Sequence, residues 1–227
     1  MKRIAALVFL AFLFAVTAYA QENPLSKLGW QFSGDGVIGD KATIKIPEGY
    51  AFLGAADTKK FMELNENLTS GREYLFAPKD LSWFAVFEFS PVGYVKDDEK
   101  IDADSVLNTV RKSTEKGNEE RRKRGWGTLS IQGWRFQPQY DKNAKLLEWA
   151  FVATDDRTNA PIINYNTRLL GRTGVMQVVL VSSPEALDQS VGSLKKALGG
   201  YDFTRGEKYA EFRPGDHVTC SPEIVRV

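Results

Sequence analysis

From Thr128 onward, apolar residues gather in short runs, "LSIQGWRF", "KLLEWAFVAT", "IINYNTRLL" and "VMQVVLVSS", divided by turn-rich "QPQYDKNA", "DDRTNAP" and "GRTG". Runs of this length predict strands, and linkers this short predict antiparallel hairpins in one meander. Upstream, "ATIKIPEGYAFL" predicts two short strands around a turn, and "EYLFAP" and "SWFAVFEFS" predict neighbouring strands. In the last of these both alternating sets are largely apolar, which places the strand centrally with something packed on each side.

Three stretches carry helical spacing. "DTKKFMELNENL" offers Asp57 as N-cap and apolar Phe61, Met62, Leu64 and Leu68, a short helix. Between Val95 and Gly127, Asp102 or Asp104 suits a helix start, and Ala103, Val106, Leu107 and Val110 recur at helical spacing. Beyond Arg111 the apolar stripe thins, acid in front and base behind match the helix dipole, and Gly125 sits where a left-handed C-cap belongs. This second half is expected to project into solvent or to cross a partner. "SPEALDQSVGSLKKAL" predicts a third helix, from a Ser183 N-cap to a stop at Gly199-Gly200. The order of elements lacks regular β-α-β alternation and predicts an α+β fold, an antiparallel β-sheet meander with two or three packed helices.

The first twenty residues change the setting. Lys2 and Arg3, an apolar run from Ile4 to Val16, and Ala18-Tyr19-Ala20 have the layout of a cleavable secretory signal, and the run is too short for a permanent anchor. Residues 1–20 are read as a signal peptide, 21–216 as a single extracytoplasmic domain and 217–227 as a divergent tail. Without Lys2 and Arg3, 28 basic residues face 29 acidic ones, a balance that gives no global attraction to nucleic acid. The lone Cys220 forms no internal disulfide, so stability rests on the core, which takes up most of the five tryptophans. A glycan platform is the alternative use of those rings.

Candidate chemistry is thin. Asp97, Asp98, Glu99, Asp102 and Asp104 lack the spacing of a calcium loop and read as caps or solvated surface, so no metal and no cofactor is expected. His217 is the single histidine, which rules out His-based triads and zinc sets within the domain. "GRTG" and "GDGVIGD" lack the context of phosphate or dinucleotide loops and read as turns. "ERRKRG", with Trp126 just beyond, is either a solvated helix end or a contact for an anionic lipid. In "YNTRLLGRTG", Asn164, Asn166 and Arg168 share one strand face, either a wet outer face or the floor of a polar cleft. Tyr140 and Asp141, placed in a nearby loop, offer Arg168 a carboxylate partner.

Several segments carry more than composition: "WQFSGDGVIGDKATIKIPEGYAFL", the block from "WFAVFEFSPVGYVKDDEK" to "GNEERRKRGW", "GWRFQPQYDKNAKLLEWAF", "NYNTRLLGRTGVMQVVLV" and "YDFTRGEKYAEFRPGD". Together, from Trp30 to Asp216, they resemble the bacterial domain-of-unknown-function DUF2167 family. The resemblance implies an exported protein with a large periplasmic domain and a C-terminal transmembrane helix, with no established activity. It marks Gly93 to Asp98, Asn118, Arg121, Gly125-Trp126, Tyr140-Asp141, Trp149, Asn164 to Asn166, Arg168 and Gly171-Arg172 as positions of interest without assigning them roles. Where the family's pattern implies a membrane helix, this chain reads "VTCSPEIVRV" and stops. Truncation of the reading frame is favoured over a natural variant without the anchor.

The leading expectation is a non-enzymatic periplasmic or envelope domain that binds another envelope component, a protein or an anionic lipid. Binding positions are Asn118, Arg121, Arg124, Trp126, Tyr140, Asn164, Asn166, Arg168 and Arg172. The alternatives are a carboxylate-dependent hydrolase or isomerase using Asp97, Asp98 or Asp141 as acid and base, and a scaffold without a site.

Overall fold

The structure, a computed structural model, describes residues 24–96, 102–141 and 146–219. In chain order its strands are β1 (Asp35–Ile38), β2 (Ala42–Lys45), β3 (Tyr50–Leu53), β4 (Tyr74–Pro78), β5 (Phe84–Ser90), β6 (Tyr94–Val95), β7 (Leu129–Asp141), β8 (Leu146–Asp155), β9 (Pro161–Leu170), β10 (Val175–Ser182), β11 (Tyr201–Phe203) and β12 (Val218–Thr219). The helices are α1 (Ala55–Leu64), α2 (Ala103–Lys123) and α3 (Leu187–Leu198). The fold is α+β, as the sequence predicts.

Seven strands form one antiparallel sheet in the order β3-β4-β5-β10-β9-β8-β7. β7 to β10 are the expected meander, and β5 is central, as its two apolar faces require. One face of this sheet packs on α3 and on a three-stranded sheet, β1-β2-β11, around Phe76, Phe87, Tyr165, Leu180, Ile44 and Leu194. The opposite face is covered twice. Phe61 and Met62 of α1 pack on Leu53 and Leu75, and Val106 and Val110 of α2 pack near Trp149 and Phe151. Each fully buried ring, such as Trp149, contributes roughly 1.5–3 kcal/mol.

The two strands of "ATIKIPEGYAFL" are present but do not pair with each other; β2 joins the small sheet and β3 the large one. The chain changes sheets at Pro47-Glu48-Gly49, where Gly49 takes a φ of 87°. α1 begins at Ala55 with Gly54 as N-cap, so Asp57 is a first-turn residue and not the cap; its carboxylate instead accepts from Gly29 N and Lys60 Nζ. "GDGVIGD" is not simply a turn, since Asp35–Ile38 pair with Ala42–Lys45.

The largest departure is β7. "QPQYD" belongs to the strand, which runs thirteen residues to Asp141. Its pairing with β8 shifts register three times, between Ile131 and Gly133, Trp134 and Phe136, and Phe136 and Gln139. Pro138 stands in this strand because β7 is the outer edge of the sheet, where a missing N–H breaks no ladder.

Candidate functional site

The basic end of α2 is built from its cap inward. Asp102 Oδ1 accepts from the amides of Asp104 and Ser105 at 3.1 and 3.3 Å, starting the helix. At the other end Gly125, with φ 72°, donates to Arg122 O, and Trp126 N donates to Arg121 O at 2.9 Å, the paired bonds of a Schellman stop.

The second half of α2 does not project freely. Asn118 and Arg121 are buried, 4% and 8% exposed. Asn118 Oδ1 accepts from Leu129 N and its Nδ2 donates to Leu129 O, both at 2.9 Å, so the side chain imitates a neighbouring strand at the start of β7. Arg121 donates to Gly127 O at 3.1 Å; burial pushes its pKa down, opposed by the charges of Glu66 and Asp155. Glu66 closes the joint by accepting from Gly127 N and from Arg157. Two of the four α2-end positions expected to bind therefore hold the helix to the sheet. The apolar stripe thins here because polar groups have replaced it as the fastening.

What stays accessible is the outer face of this end. The Arg124 guanidinium lies 4.9 Å from the Trp126 ring centre. Its charge is not isolated: Arg124 and Lys123 pair with Glu120, and Arg122 with Glu115. "ERRKRG" is thus a surface of mixed charge.

Asn164, Asn166 and Arg168 do share a face of β9, and it is the face under α2. Asn166 and Arg168 are buried, Asn164 half-buried. The Arg168 guanidinium lies 4.6 Å from the Trp149 ring centre and donates to Thr167 O. Burial pushes its pKa down to about 9, still leaving it charged at neutral pH. Trp149 Nε1 and Asn166 Oδ1, on register partners, are buried without hydrogen-bond partners among the described residues. This face is an interior, not a wet outer surface.

Tyr140 and Asp141 are strand residues rather than loop residues, and the expected pairing of Asp141 with Arg168 is replaced by another. Asp141 Oδ2 accepts from Lys195 Nζ at 2.6 Å, on the α3 side of the sheet, opposite Arg168. The same ammonium lies 2.7 Å from Glu148 Oε2, which also accepts from the Tyr165 hydroxyl at 2.7 Å. Burial, reinforced by Glu148, pushes the Tyr165 hydroxyl pKa up. For Lys195 burial acts downward, but its two carboxylate partners outweigh it and the net shift is upward. A lysine between two carboxylates fastens α3 to the β7–β8 hairpin and leaves Asp141 engaged. Tyr165 is marked by the family resemblance without a role, while nothing in the sequence reading points to Lys195 or Glu148; a glutamate inside apolar "LLEWAF" is the available signal.

Arg172 joins the end of the domain to the rest. Its Nε and Nη2 donate to the two Asp216 carboxylate oxygens, both at 2.7 Å, and its Nη1 donates to Gly206 O. Arg172 holds the Asp216 carboxyl down to about 2. Beside it, Tyr94 N donates to His217 O, and β12 runs parallel to β6. Asp97 and Asp98 lie outside the described residues. Among the described residues no group of three His, Cys, Asp or Glu side chains is placed to hold a metal, and no helix is long and apolar enough to cross a membrane.

Fold and fastenings together define an α+β domain whose conspicuous polar residues mostly tie helices and the chain end to the large sheet. The chain belongs to the family described as "Protein of unknown function (DUF2167)", whose model matches residues 32–221. No curated protein matches the chain. Among solved structures it is similar to the solution structure of cyanobacterial PsbP (CyanoP) from Synechocystis sp. PCC 6803, with 10% identity and a TM-score of 0.39 over 77% of this chain and 92% of that one.

Proposed function

We propose that this chain is a non-enzymatic, extracytoplasmic binding domain that meets a protein of the cell envelope through the outer end of α2, with Arg122, Lys123, Arg124 and Trp126 as its contact residues. The observation that carries the reading is the division of labour at this end. Asn118 and Arg121 lock the backbone to β7, and Arg124 is stacked on Trp126 outside it. An aromatic ring and an arginine on a rigid element have the composition of a protein-contact hot spot. The alternation of Arg122, Lys123 and Arg124 with Glu115 and Glu120 favours a protein of matching mixed charge over an anionic lipid at this place. Acid–base catalysis finds no support in Asp141, whose carboxylate is held by Lys195.

The test is a photo-cross-linking residue at Lys123 in cells, followed by identification of adducts, repeated in an R124E/W126A background. A specific envelope protein captured by the parent and lost in the double variant, with the melting temperature kept, supports the reading. No adduct, or an adduct indifferent to the double variant, overturns it.

A further inference from the structure

Two of the exposed large apolar residues lie around a single ring. Phe212 is 41% exposed and its ring centre is 4.4 Å from that of Tyr94; Val218 is 40% exposed and is the strand partner of Tyr94. Tyr209 stacks on Tyr94 at 4.5 Å with the rings 12° from parallel. The backbone under it is fixed by Tyr94 N to His217 O and by Arg172 to Asp216, so these apolar groups are presented by a fastened segment and not by a loose end.

Among the described residues, the Arg213 side chain beside the patch enters no salt bridge, unlike Arg122 and Arg124 at the α2 end. Among the described residues, the carboxylates between Asp202 and Asp216 are engaged within the domain. Asp216 is held by Arg172, Glu207 by Lys41 and Thr173, Asp202 by Lys208, and Glu211 by the amides of Gly206 and Lys208. Arg213, adjacent to Phe212, is exposed, as are Arg205 and His217. Arg213 is also near enough to add its field to that of Arg172 on Asp216, so two guanidinium groups share one carboxylate. An exposed ring and a branched aliphatic beside an exposed arginine match the chemistry of a lipid headgroup layer, where apolar groups enter the acyl boundary and cations meet phosphate.

We propose that the Tyr94–Phe212–Val218 patch, with Arg213 at its rim, is a contact surface for an anionic lipid bilayer, distinct from the protein-binding end of α2.

The experiment uses the protein expressed with its own leader, recovered from the extracytoplasmic fraction and checked by mass. It is sedimented with vesicles of phosphatidylethanolamine and phosphatidylglycerol, and with vesicles of phosphatidylcholine alone. Pelleting with the first and not the second is expected. Arg213→Glu, which removes no side-chain hydrogen bond described above, should weaken it by at least about tenfold, and added salt should weaken it further. Phe212→Ser with Val218→Ser should abolish it at a melting temperature that is checked alongside. Arg124→Glu at the α2 end should leave it unchanged. Equal pelleting with both vesicles, indifference to Arg213→Glu, or loss through Arg124→Glu overturns the proposal. So does a concentration-dependent dimer in sedimentation velocity that Phe212→Ser dissolves, because the patch would then be covered by a second copy.

Discussion

Asn118 and Leu129 are joined through both hydrogen-bonding groups of the leucine backbone, so a helix side chain occupies the place of a neighbouring strand at the edge of the sheet. Asn118→Ala would leave an amide and a carbonyl half-buried without partners. Urea unfolding should show a loss of about 1–3 kcal/mol. Asn118→Asp, which keeps the acceptor and loses the donor, should fall between the two. An Asn118→Ala protein as stable as the parent would mean the joint does not hold α2.

Lys195, Glu148 and Asp141 should behave as one unit. Lys195→Met leaves two carboxylates facing one another, with Glu148 only 8% exposed along its side chain. The expected cost is about 2 kcal/mol, below that of a fully buried pair because Lys195 and Asp141 are partly solvated. In a double-mutant cycle with Glu148→Gln the two losses should fall short of additivity by about 0.5–3 kcal/mol. Strict additivity would show that the ammonium and Glu148 do not interact in solution.

Asp216 makes a prediction about pH. Its folded carboxyl is held at about 2, below the ordinary value of 3.8. The pair with Arg172 therefore contributes its full share above about pH 4 and loses it as the pH falls from there toward 2. Melting temperatures measured through this window should fall less steeply in Asp216→Asn than in the parent. Parallel curves would remove the pair from the list of stabilising contacts.

Gly93 has a φ of 95°, and a Cβ built on it would lie 2.6 Å from the His217 carbonyl oxygen. Gly93→Ala should cost more than about 1 kcal/mol, since it strains the backbone and pushes on β12 at once. Amide exchange at Tyr94 should rise, because its N–H is the bond to His217 O. Unchanged exchange would place the strain elsewhere.

The fold was legible where periodicity decides it. The meander from Leu129 to Ser182, the central place of β5 and an aspartate cap on α2 follow from alternation, two-faced apolarity and side-chain oxygen chemistry, although the choice of Asp102 over Asp104 does not. The sequence predicts a shorter β7 because Pro138 and the polar residues around it look like a turn, and nothing local tells that an edge strand will tolerate them. The polar candidates were found more readily than their roles. Asn118, Arg121, Arg168, Asp141 and Arg172 all make specific contacts, but partners such as Lys195 of Asp141 and Asp216 of Arg172 lie 54 and 44 residues along the chain, and long-range pairing leaves no trace in spacing. Phe212 and Val218 carry no signal in the sequence, because two isolated apolar residues in a loop-rich segment mean little without the fold that brings both to Tyr94.

A thirteen-residue border strand would ordinarily invite other chains to add to it, and long, flat rims of this kind seed fibrils. Here three slips in register and a proline interrupt that rim. The outer border of the great sheet is thereby a poor template for the addition of strands from other chains.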